Sequence, residues 1–158
     1  MVHVAFDVVA LIKSCSAPIE SITLWGTTLY AGCNDGALRE FVPSGSGEPY
    51  QLKETKIGFA RKAITQLDVS SSKKFLFFLS DGVGVRHLPE LDPLAPTLRN
   101  KTRGANLYSW NEERGLLGVA LRKKLLIFKY DGTKPLAHLP PVLTCFTEPC
   151  DMNVLEAV

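Results

Sequence analysis

Apolar residues come in short runs broken by turn residues, and three stretches share one grammar of strand, tight turn and strand. The first runs Leu29-Tyr30-Ala31-Gly32-Cys33, turns at Asn34-Asp35-Gly36 and returns through Ala37-Leu38-Arg39-Glu40-Phe41. The second runs Phe75-Leu76-Phe77-Phe78-Leu79, turns at Ser80-Asp81-Gly82 and returns through Val83 to Leu88. The third runs Leu116 to Leu121, turns at Arg122-Lys123 and returns through Lys124 to Tyr130, without a turn glycine. Asp-Gly predicts a hairpin because glycine takes the positive φ that a right-twisted strand pair needs.

Each hairpin follows another short apolar strand, at Ile19 to Leu24, Ile64 to Val69 and Leu107 to Trp110. The turn anchors Asp35, Asp81 and Lys123 stand 46 and 42 residues apart. Four-stranded propeller blades repeat at about this period, roughly 40–45 residues, whereas a β-sandwich has no reason to repeat a whole unit. The alternating, charged run Tyr50 to Thr55 suits an outer edge strand. Phe6, Val8, Ala10 and Ile12 alternate as one face of a further strand ahead of the first repeat. Three prolines between Pro89 and Pro96 exclude a regular helix there, and no helix is read elsewhere. The expected fold is all-β, a partial β-propeller of about three blades of antiparallel strands with an irregular C-terminal tail.

Composition agrees with that picture. The chain has 158 residues, 46% hydrophobic and 22% charged, with ten prolines and twelve glycines, as a chain that turns often requires. Lys+Arg 18 against Asp+Glu 16 leaves a net +2, with no general pull toward nucleic acid or anionic lipid. The apolar stretch Val8 to Ile12 lacks a basic leader and a cleavage site, so no targeting segment is read, and the four cysteines are expected to be reduced thiols in the cytosol.

Catalytic patterns are missing. Gly45-Ser46-Gly47 and Gly82-Val83-Gly84 lack the rest of a phosphate loop and read as turns. His3, His87 and His138 are scattered, and Cys145 with Cys150 has no second cysteine pair to complete a zinc site. No cofactor, metal ligand or catalytic residue is assigned, and no enzyme is expected. Two basic clusters remain, Arg99, Lys101 and Arg103 after the proline-rich loop and Arg122-Lys123-Lys124 in the third turn. Solvated loops account for both; Arg99, Lys101 and Arg103 are nevertheless the candidates for partner binding. Trp25 and Trp110 hold equivalent repeat positions, which argues for packing between blades.

Pro18-Ile19-Glu20-Ser21-Ile22 followed by Leu29 to Leu38 resembles the opening of a citron-homology (CNH) domain. Gly104-Ala105-Asn106-Leu107-Tyr108-Ser109-Trp110, then Arg114-Gly115 and Lys124 to Gly132, is more specific. Together these blocks resemble the N-terminal region of the vacuolar sorting protein thirty-nine (Vam6-like) family, in a plant-like form. The resemblance covers residues 1–133 and implies a propeller independently of the repeat arithmetic. It further implies a HOPS-type tethering subunit acting in late endosome and vacuole (or lysosome) fusion and vacuolar protein transport. Its implied partners are other HOPS subunits and a Rab-seven-type GTPase, with no nucleic acid. Its implied location is cytoplasmic and peripheral on the late endosome or vacuole membrane, through partners. No motif carries a binding residue over. Another CNH tethering subunit or a small-GTPase regulator is the alternative. After Gly132 the resemblance stops, so residues 134–158 are expected to be an irregular tail outside the family, on a truncated chain.

Overall fold

The computed structural model describes residues 7–130 and the backbone of 143–145. Five consecutive apolar residues with no polar alternation, Phe75–Leu79, form a strand buried along its whole length. A strand can satisfy such a pattern only if both faces are covered, and the architecture follows from that demand.

In the first sheet, β1 (Ile19–Trp25), β2 (Thr28–Cys33), β3 (Leu38–Pro43) and β4 (Tyr50–Lys56) pair in chain order, all antiparallel. In the second, β5 (Gln66–Ser70), β6 (Phe75–Leu79), β7 (Val83–His87) and the two-residue β8 (Asp92–Pro93) do the same. One helical turn, α1 (Leu98–Lys101), leads into the third sheet of β9 (Leu107–Asn111), β10 (Leu116–Leu121), β11 (Lys124–Lys129) and β12 (Leu143–Cys145). None of the three sheets closes on itself. These are three blades of a partial β-propeller, each a four-stranded meander, as the repeat predicts.

Packing between blades is sorted by the parity of β6. Leu76 and Phe78 face the first blade and join Tyr30, Leu38, Ile64 and Leu67 in one core. Phe75, Phe77 and Leu79 face the third and join Tyr108, Leu117, Val119 and Phe128 in another. Trp110 lies against Phe77 with ring centroids 4.9 Å apart, and Trp25 lines the first of these cores. Gly84, directly opposite Phe78 in the ladder, leaves room for its ring, which a Cβ there would strike. The innermost strands also touch. Ser21 Oγ donates to the Ile64 carbonyl at 2.6 Å, and Gln66 Nε2 donates to the Tyr108 carbonyl at 2.9 Å while its Oε1 accepts from the Tyr108 N–H.

Two local expectations change. Residues 7–18 are irregular instead of a strand; Phe6 lies outside the described residues. Val8 is 99% exposed, so its alternation has no buried face to serve, and the segment is tied down by backbone bonds from the Tyr50 N–H to the Leu11 carbonyl and from the Asn34 N–H to the Pro18 carbonyl. Ile12 and Cys15 instead cover Leu29, Ala31 and Phe41 on the outer face of the first blade. The helix α1 is a single turn, too short to leave a period in the sequence. Leu143–Cys145, within the stretch expected to be a tail, lie along β11.

Two outcomes follow from this packing. Phe77→Ala is expected to cost about 3–5 kcal/mol, against about 0.5 kcal/mol or less for Leu52→Ala, whose parent side chain is 53% exposed. Urea unfolding checks the difference, and equal midpoints would contradict a two-sided core. Ile22 and Leu24 of β1 are 61% and 57% exposed, so the isolated chain is expected to self-associate through open sheet faces. Sedimentation velocity giving one sharp monomer boundary, with cooperative unfolding, would overturn that expectation.

Candidate functional site

One end of the blades carries the hairpin turns β2–β3, β6–β7 and β10–β11 together with the two connections between blades. The first turn is an Asx turn: Ala37 N–H donates to Asp35 Oδ1 at 3.0 Å, and Gly36 takes φ +77. The connection 57–65 seats on it, with the Ala60 N–H on the Gly36 carbonyl at 2.9 Å. A Cβ at Gly36 would collide with the Ala60 carbonyl oxygen. The second turn repeats the device. A Cβ at Gly82 would collide with the Arg99 carbonyl oxygen, and Gly104 N–H donates to the Asp81 carbonyl at 2.9 Å. Thr102, fully buried, accepts from the Val83 N–H at 2.8 Å and donates to the Leu98 carbonyl. Glycine is needed at both places because connection and turn touch through their backbones.

Each turn aspartate also holds an arginine. Arg39 reaches Asp35 with both Nη atoms, at 3.2 and 2.9 Å, while its Nε is buried without a hydrogen-bond partner among the described residues. Arg99 grips Asp81 through Nε and Nη2 at 2.6 and 2.7 Å. The Arg39 guanidinium, helped by the Ala37 N–H, holds the Asp35 carboxyl below the usual carboxylate range, and Arg99 does the same for Asp81. Burial pushes the Cys33 thiol up, and burial followed by the nearby Glu40 carboxylate pushes Tyr30 up to about 12. None of these groups forms a nucleophile–base pair. Among the described residues, no three His, Cys, Asp or Glu side chains gather as a metal site would need.

Of the residues singled out in the sequence, Arg99 is thus a structural partner of Asp81, and Lys101 ends α1. Arg103 is exposed and lies between two shallow clefts at this end. One cleft, of about 560 Å³, is lined by Arg103, Leu121, Arg122, Lys123 and Lys124. The other, of about 460 Å³, adds Arg61 and Lys62 beside Ser80 and Asp81. The two basic clusters, far apart in sequence, therefore meet at Arg103. Sequence reading missed Arg61 and Lys62, although the repeat marks them: Lys62 stands four residues ahead of β5, as Arg103 stands four ahead of β9. His87 ends β7 with its ring edge-on to Phe75; His3, His138 and Cys150 lie outside the described residues.

No family model matches the chain. Over 141 residues, 84% of its length, the chain is 38% identical to Vacuolar sorting protein 39 of Arabidopsis thaliana, and it spans 14% of that protein. The likeness read at Gly104 to Trp110 and Lys124 to Gly132 therefore extends over most of the chain. Among solved structures, the computationally designed proteins Ika4 and Ika8 superpose with TM-scores of 0.60 and 0.58 at 11% and 10% identity. The matches cover 81% and 80% of this chain, and 73% and 36% of theirs. At such identity they speak to the fold alone. No helix among the described residues is long and apolar enough to cross a membrane.

A lowered folded-state pKa means that the Asp81–Arg99 contact contributes fully above the unfolded carboxylate value, near 4, and is lost as pH falls through the folded value. Asp81→Asn is expected to cost about 1–2 kcal/mol near neutral pH, because charge-assisted hydrogen bonds become neutral ones. The variant should also lose less stability than the parent on acidification below about pH 4. Thermal unfolding of both proteins across pH checks this; parallel curves through the acid range would refute it.

Proposed function

We propose that this chain is a propeller segment of a HOPS-type vesicle-tethering subunit, a non-catalytic protein-interaction surface serving vacuolar protein transport. The observation that carries the proposal is the 38% identity to a vacuolar sorting protein over 84% of the chain. A rigid stack of blades supports it, since such a stack displays loops at fixed spacing and suits recognition of large partners. In this reading residues 1–133 are the CNH propeller region. Residues 134–158 are a tail outside the family that lends Leu143–Cys145 to the edge of the third blade.

The whole subunit acts where late endosomes, autophagosomes and vacuoles (or lysosomes) are brought together before fusion. It is cytoplasmic and held peripherally on those membranes by other HOPS subunits and a Rab-seven-type GTPase. The blade end bearing Lys101 and Arg103 is the surface we assign to partner contact, with Arg99 fixing its shape through Asp81. No cofactor, metal or nucleic acid enters this role.

Affinity capture from cell extract tests the reading, with nucleotide-loaded endosomal Rab proteins as bait. The GTP-loaded bait is expected to retain the chain, with other tethering subunits, severalfold better than the GDP-loaded one. Recovery on Rho-type baits in place of Rab-type ones, or equal recovery on both nucleotide states, would overturn it.

A further inference from the structure

The described residues 98–125 carry cations at Arg99, Lys101, Arg103, Arg122, Lys123 and Lys124 on one end of the blades. Their carboxylates, Glu112 and Glu113, sit in the β9–β10 turn at the opposite end, where Glu112 is occupied by Ser70 Oγ and the Ser72 N–H. The two turn aspartates on the basic end are already held by Arg39 and Arg99. Among the described residues, Arg61, Lys62, Arg103, Arg122 and Lys123 at this end form no ion pair, on a protein whose net charge is only +2.

Its shape is equally informative. The clefts of about 560 and 460 Å³ share Arg103, so they form one groove running from Arg61-Lys62 to Arg122-Lys123-Lys124 across two blades. Arg61, Lys62, Arg122 and Lys123 are exposed, and Leu121, half-buried, gives the groove an apolar patch. Arg122 stands at φ +52, so the third turn presents its cations on a tight, glycine-free loop.

We infer that this groove binds an extended acidic segment of a partner protein, with carboxylates meeting the Arg61-Lys62 and Arg122-Lys123 ends and Arg103 between them. A bilayer fits less well. A membrane-docking edge inserts apolar side chains between its basic residues, and no exposed large apolar side chain among the described residues lines either cleft. The inference rests on the reading of this end as a contact surface and adds the chemistry of the partner.

The test uses the full 158-residue chain with fluorescein-labelled decaglutamate, read by anisotropy at low and at physiological salt. Binding that weakens with salt is expected. The charge-reversing pair Arg103→Glu and Arg122→Glu should lower affinity about tenfold or more. The same reversal at the opposite end, Arg114→Glu with Lys129→Glu, should change it less than about twofold, although it alters net charge equally. Should a reversed variant lose its thermal transition, Arg103→Ala with Lys123→Ala reads the same groove.

Equal losses in both pairs would reduce the effect to net charge and sink the inference, as would absence of binding. Groove-dependent binding to phosphatidylserine vesicles without binding to decaglutamate would assign the surface to lipid instead and overturn it. Decaglutamate binding that persists while Rab baits recover nothing would leave the groove standing and count against the tethering role alone.

Discussion

Two-sided burial of β6 is the constraint on which the rest depends. Phe75–Leu79 cannot lie on a surface, because every side chain is apolar and every one is buried. The period of two along a strand sends Leu76 and Phe78 one way and Phe75, Phe77 and Leu79 the other. A sheet must therefore stand on each side, and a one-residue slip would exchange the two sets of contacts. Gly84 belongs to the same constraint, since only a residue without a Cβ leaves space for the Phe78 ring, whose centroid lies 4.8 Å from that of the tilted Phe59 ring.

Cores alone leave the ends of the blades free to splay, and the turn latches oppose that. Gly36 and Gly82 admit the next connection to backbone distance, and Asp35 and Asp81 each hold an arginine in bidentate contact. The arginines come from different places, Arg39 from the strand after its turn and Arg99 from the helical turn before the next blade. The aspartate–arginine pair thus recurs on two blades, with a different arginine and a different edge of the guanidinium in each. At the third blade the turn has neither aspartate nor glycine, and its Arg122-Lys123 pair faces solvent. The same repeat position that fastens two blades supplies exposed charge on the third.

Much of the fold was legible in the sequence. The hairpins, their 46- and 42-residue spacing and the edge strand at Tyr50 are local patterns, and strands report themselves through local alternation and turn chemistry. The alternation before Ile12 misled because alternation proves a strand only when a neighbour exists to pair with it, and neighbours are non-local. The basic site was legible in pieces. Arg99, Lys101 and Arg103 read as a cluster by proximity in sequence, yet Arg99 is spoken for by Asp81, 18 residues away. Arg61 and Lys62 stood too far off to be counted with them.

The sequence by itself determined the all-β class, the repeating unit, the positions of the tight turns and the likeness to vacuolar sorting proteins. Each of these resides in neighbouring residues or in their order. Only the tertiary structure decided which cations are engaged, which are exposed and which stand together. Charges interact through space, and the stacking of blades, set by the burial of both faces of β6, brings Arg61, Arg103 and Arg122 onto one groove.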